Sequence, residues 1–284
     1  MSLRDLLYDN WNKLGAVPPD ALLNARLNAH FATQVVAAAG FSLLKPEPDD
    51  SHTSVDWVDR LQALIGDQIP GGLRVGLRIR DLRLMLLAKG GIELASMPLL
   101  GHTLESGIEW LRGQLKDQAS LEKSPDIQRP DYDLPDFAVG KGAKFDADTE
   151  KLTELARWYA NADATLQFLA GREPEASRVM CWPHHFDVAT LLTLDKDRTI
   201  GIGMSPGDAS YRQPYFYVTP WPYPKGDNLP PLTGGGTWHR EGWTGAVLTA
   251  SKLLAASSSE RQVETLVEFL NSALKGAREL QSRS

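Results

Sequence analysis

Cysteine is almost missing from these 284 residues. With Cys181 alone, no intramolecular disulfide and no paired-cysteine zinc site can form, so a reducing cytosol suits the chain. Long apolar runs are missing as well. Nothing approaches the ~20 apolar residues of a membrane span, and the start, Met1-Ser2-Leu3-Arg4-Asp5-Leu6, places an acid where a signal peptide needs a basic and then apolar stretch. The third absence is a basic excess: a formal charge of -6 leaves no footprint for a phosphate backbone. The expectation is a soluble, cytoplasmic protein that meets small molecules or proteins, and neither a membrane nor nucleic acid.

What is present is ordinary in bulk, 42% hydrophobic and 23% charged, and long enough for one large domain or two compact halves. Pro18-Pro19-Asp20 opens a helix whose Ala- and Leu-rich run is expected to stop at Gly40. Arg26, His30 and Gln34 recur every four residues and share one of its faces. That stripe is satisfied by solvent or neighbouring loops, or it forms the polar wall of a pocket. A second helix is expected over 55–65 with Ser54 as N-cap, after a loop in which Asp49, Asp50 and His52 serve the turn rather than a metal.

Residues 73–87 alternate as a strand, followed by a strand near 92–97, a helix over 103–115 and a long connection over 118–145. A clear amphipathic helix covers 148–169. Strands follow at about 178–181, 187–194, 199–204 and 215–219, and a last helix runs from 260 to about 280 with Ser259 as cap. This order predicts an α+β fold of antiparallel strands flanked by helices. It has two similar helix-strands-helix halves, 1–125 and 146–284, which also fit one continuous domain. The string from Arg74-Val75 to Leu86 echoes that from Arg178-Val179 to Leu192 with a two-residue gap, as a duplication would.

Three of the six histidines and four of the eight tryptophans fall between Trp182 and Trp243. In a strand, residues two apart face the same side, so His185 and Asp187 can converge while His184 faces away. With His239 they make a two-histidine, one-carboxylate set of the kind that holds iron, or zinc with an open position for water. That set points to a metal-dependent hydrolase or oxygenase acting on a small molecule. The alternative needs no metal: Trp182, Trp221, Tyr223, Trp238 and Trp243 wall an aromatic cleft, with His184 or His185 and Asp187 orienting a ligand. This second protein is a non-catalytic ligand-binding or interaction protein, and the same rings also suit a core beneath proline-rich loops.

Two further motifs bear on the choice. Gly234-Gly235-Gly236 is either a hinge that lets Trp238 and His239 close over a site containing Trp182, His185 and Asp187, or a plain surface loop. Gly203-Met204-Ser205-Pro206-Gly207 matches the nucleophile elbow of hydrolases, yet Pro206 has no N–H for an oxyanion, so a tight turn is expected.

The strings Cys181-Trp182-Pro183-His184-His185-Phe186-Asp187-Val188-Ala189, Ser205-Pro206-Gly207-Asp208 and Pro214-Tyr215-Phe216-Tyr217 through Pro220-Trp221-Pro222-Tyr223-Pro224 resemble a family of uncharacterised bacterial proteins. Its members carry a Trp-x-x-Phe-Asp strand, a Pro-Gly turn and an aromatic, proline-rich segment. The resemblance covers mainly residues 178–224 and implies a bacterial origin, with no activity attached. In its more distant members small residues replace the pair matching His184-His185 while Phe-Asp stays, which implies a structural role for Asp187.

Overall fold

Small and β-branched residues crowd positions 29–39, and the helix that carries them, α2 (Leu23–Leu43), is buried along most of its length. The fold comes from a computed structural model that describes residues 1–118 and 125–282. Gly40 does not stop α2, which runs on to Leu43. Glycine sits there because a Cβ at position 40 would lie 2.2 Å from the His52 carbonyl oxygen, so the chain after the helix can lie directly on it.

The fold is α+β, with antiparallel strands flanked by helices. It divides into two compact units: Ala21–Ala156 with Met180–Phe186, and Met1–Asp20 with Arg157–Val179 and Asp187–Ser284. The chain crosses between them within α4 (Thr149–Ala170). Six positions of the expected connection, 119–124, lie outside the described residues.

In the 21–156 unit the strands are β1 (Val55–Val58), β2 (Ala63–Gly66), β3 (Arg74–Arg78), β4 (Arg83–Ala88), β5 (Ile92–Pro98) and β6 (Met180–Trp182), in the order β6-β1-β2-β3-β4-β5. The helix expected over 55–65 is therefore the hairpin β1–β2. Val55 and Trp57 are buried in alternation, and Gln62 adopts a left-handed φ of 50° that closes the turn. The strand-like stretch over 73–87 forms two strands, with the turn closed by Leu82 at φ 45°. One face packs on helices: Gly107 of α3 (Leu104–Gln118) lies against Val35 of α2 and Leu84 of β4. On the other face Ala63, Ile65, Met85 and Leu87 form a small core that Val58 and Leu61 cover.

The 187–284 unit carries β7 (Asp187–Thr193), β8 (Thr199–Ser205), β9 (Tyr215–Trp221), β10 (Thr237–His239) and β11 (Gly245–Thr249), in the order β7-β8-β9-β11-β10. Its helices are α1 (Leu3–Asn10), α5 (Ala250–Leu253) and α6 (Ser259–Ser282), besides the later part of α4. Register places Val188, Met204, Phe216 and Leu248 in one row on one face. Helices cover that face: the Phe216 ring meets Trp158 of α4, and Trp238 lies against Gly276 of α6. The cap of α6 is Ser258, whose Oγ accepts from Arg261 N at 3.2 Å, one residue before the expected position. No helix among the described residues is long and apolar enough to cross a membrane.

Two buried amides fasten the N-terminal segment to this unit. Gln262 Oε1 accepts from Trp11 Nε1 at 3.0 Å and from Leu14 N at 3.2 Å, while its Nε2 donates to Leu14 O at 3.0 Å. Asn161 does the same for Asn12, accepting from its N–H and donating to its carbonyl. Gln262→Ala strands a buried N–H and C=O at Leu14, and each buried unsatisfied group costs about 1–3 kcal/mol. The expected result is a loss of at least ~2 kcal/mol in urea unfolding with an unchanged m value. A loss under ~0.5 kcal/mol would show that water replaces the side chain without penalty.

Candidate ligand-binding face

Tyr215 and Tyr217, two apart on β9, project from the face opposite Phe216 and Val218. Facing Tyr217 across β8 is Gly203. A Cβ there would lie 2.5 Å from Tyr217 Oη and 2.6 Å from its Cζ, so the bare backbone lets the ring lie across β8. The ring thereby reaches β7, where its hydroxyl donates to Asp187 Oδ2 at 2.5 Å. Gly245 plays the same part on β11: a Cβ would meet the Trp243 ring at 2.5 Å. Two rings thus pave the sheet where strand glycines clear the way.

Around them stand Tyr211, Tyr215 and His239. The Trp243 centroid is 4.4 Å from that of His239 and 6.4 Å from that of Tyr215, and Tyr211 is 4.9 Å from Tyr215 and 5.4 Å from His239. Polar tips of this cluster are satisfied within it. Asp208 accepts from Ser210 N, Tyr211 N and the Tyr215 hydroxyl. Burial first, then that carboxylate, hold the Tyr215 phenol far above the ordinary tyrosine range. Tyr211 is pushed up by burial and by the Asp208 charge. His239 Nε2 meets the Glu241 carbonyl at 2.7 Å and must donate to it. Its Nδ1 lies 3.0 Å from the Tyr211 hydroxyl, so both ring nitrogens are engaged.

Of the residues nominated from sequence, His239 and Trp243 belong to this cluster, and Asp187 is bound to its Tyr217. Trp221 and Tyr223 make a separate exposed pair with T-shaped rings 4.9 Å apart. Trp238 alternates to the helix side, where its Nε1 donates to Pro230 O at 2.8 Å, so it does not share a cavity with His239. The lid reading fails for the same stretch. Gly234, at φ 61°, lies so close to α6 that a Cβ would be 2.3 Å from Thr265 O, and Thr233 is bonded to Glu268 O and Ser272 Oγ.

Trp182, His184 and His185 fall in the 21–156 unit. They do not form a continuous strand with Asp187, because residues 183–186 make a turn in which Phe186 adopts φ 60°. The alternation expected of His184 and His185 is lost, and their rings lie 4.3 Å apart. Tyr132 and Trp182 flank His184, at 5.3 and 5.9 Å between centroids, and burial and the neighbouring His185 lower its pKa. The turn also answers the stripe on α2. All three of Arg26, His30 and Gln34 are buried, and both His30 Nε2, at 2.9 Å, and Gln34 Nε2, at 2.8 Å, donate to the Pro183 carbonyl.

No group of three His, Cys, Asp or Glu side chains that could hold a metal ion occurs among the described residues, the set of His185, Asp187 and His239 included. Asp49 accepts from Ser51 N and His52 Nδ1 accepts from Glu47 N, which are turn bonds. Ser205 Oγ accepts from Gly207 N at 3.1 Å and a bend, not a helix, follows. Sequence reasoning did not nominate Tyr211, Tyr215, Tyr217 or Asp208. A usable signal was present in Gly201-x-Gly203 beside Tyr215-x-Tyr217, since glycine inside a strand marks close approach by another group. Comparison of the chain with family models, curated proteins and solved structures gives no match.

Proposed function

We propose that this chain is a non-catalytic binding protein that takes a small ligand on the ring-paved face of the 187–284 unit. The observation that carries this reading is the close approach of the Tyr217 ring to Gly203 and of the Trp243 ring to Gly245, which brings two rings down onto the sheet. Rings held in place, as Tyr217 is by its bond to Asp187, supply stacking area at little entropic cost. A binding role fits better than acid–base work, because the hydroxyls of Tyr211, Tyr215 and Tyr217 and both nitrogens of His239 are already engaged.

The test is a thermal-shift screen of uncharged phenols, indoles and glycosides against the protein and against Tyr217→Ala and Trp243→Ala. Binding to the native state raises the melting temperature by mass action. Hits are expected for the parent and are expected to vanish in both variants, each of which should still unfold cooperatively. A screen without hits, or hits that persist in both variants, would overturn the proposal.

A further inference from the structure

The same face continues beyond the ring cluster. Next to the Tyr217 row lies a row containing Leu191, Gly201 and Thr219, and next to that one containing Thr193, Thr199 and Trp221. Within β7, β8 and β9 these two rows carry no charged side chain, and the exposed Glu175, whose carbonyl accepts from Thr193 N beside the bridge of Ala176 to Leu192, stands at the end of the outer row in a chain of net charge -6. Arg198 and Asp195, in the adjoining β7–β8 turn, are paired with each other. The patch is open: Trp221 is 53% exposed and Leu191 43%. Tyr223 braces the Trp221 ring edge to face. The side-chain hydroxyls of Thr193, Thr199 and Thr219 and the indole N–H of Trp221 make no hydrogen bond to any described residue.

From these features we infer that the face binds a neutral carbohydrate chain, which gives the proposed binding role its ligand class and rests on that role. Glu175 and the net charge of -6 disfavour an anionic partner, and no side chain of β7, β8 or β9 in either row supplies a charge that would call for a charged one. The partner must offer both an apolar face, for Trp221 and the bare strand at Gly201, and hydroxyls, for three threonines and an indole N–H. Sugar rings combine the two, with C–H groups on the ring face and hydroxyls around the rim. The row Thr193, Thr199 and Trp221 steps across strands about 4.8 Å apart, so its partners recur at the spacing of a repeating chain. Continuity with Tyr217 lets the chain extend from one ring platform to the next.

Titration calorimetry and saturation-transfer NMR with cellohexaose, maltohexaose, laminarihexaose, xylohexaose and chitohexaose test the inference. At least one is expected to bind with a millimolar or tighter Kd. Trp221→Ala, a surface change that leaves the core intact, is expected to weaken that binding about tenfold or more. The double variant Thr199→Val with Thr219→Val should weaken it several-fold. Absence of binding by all five, or binding untouched by both variants, overturns the inference. If phenols or indoles still bind through Tyr217 and Trp243 in that case, the binding role stands and only the carbohydrate assignment falls. If those fail too, both fall.

Discussion

Gly40→Ala is expected to destabilise the protein by about 2–3 kcal/mol, although alanine is the better helix former. Two effects oppose each other at this position. Helix propensity favours alanine by up to about 1 kcal/mol. Against that, the new methyl would sit 2.2 Å from the His52 carbonyl oxygen and 3.2 Å from Thr53 Cα, and both are backbone atoms that cannot rotate away. Overpacking of this kind typically costs about 1–3 kcal/mol, and more where the neighbour is held. The neighbour here is held: Thr53 Oγ1 is bonded to the Asp50 carbonyl and to the Tyr132 hydroxyl, and Ser54 Oγ to the Ser51 carbonyl. Gly113 of α3 supplies the control. A Cβ there meets nothing within 4 Å, so Gly113→Ala should raise stability by up to about 1 kcal/mol. Urea unfolding of the two variants checks the pair, and equal signs would defeat the argument.

Acidification should cost about 3 kcal/mol of stability between pH 6.5 and pH 4, through His30. This side chain is 5% exposed, stacks on Phe186 with ring planes 5° apart, and donates Nε2–H to Pro183 O. Burial, helped by the nearby charge of Arg26, lowers its pKa from 6.5 to about 4. In that window the unfolded chain binds a proton that the folded one refuses, so stability is lost as pH falls and is unaffected above pH 6.5 by this group. His184, also lowered by burial, adds in the same direction. His30→Gln keeps a donor for Pro183 but cannot titrate. Its stability should therefore run flatter than the parent's from pH 6.5 to 4, by about 3 kcal/mol in total. Parallel curves would assign the acid sensitivity elsewhere.

The legible elements were those whose ends carry residues with a conformational preference of their own. Helices α4 and α6 and strands β7, β8 and β9 lie within a few residues of their expected places. The hairpin β1–β2 was misread because its turn closes on Gln62 in the left-handed region, a role usually signalled by glycine, and the apolar spacing of Val55, Val58 and Ile65 imitates a helix. Leu82 hides the next turn in the same way, whereas Gly90 and Gly91 announce the turn before β5. At the candidate site, composition located the right stretch but not the pairing. Which rings meet depends on strand register, and on Gly203 and Gly245 lying beneath Tyr217 and Trp243, neither of which a single strand's pattern contains.

The ties from Gln262 to Leu14 and from Asn161 to Asn12 join residues 248 and 149 positions apart. On a ribosome the chain emerges from its N-terminus, so Trp11, Asn12 and Leu14 are synthesised long before any partner exists for them. Closing contacts of such separation is slow, because loop entropy must be overcome before the bonds form. Asn12 therefore cannot be tied down before α4 is made, nor Trp11 and Leu14 before α6 is, so the docking of this segment is bound to the completion of two distant helices.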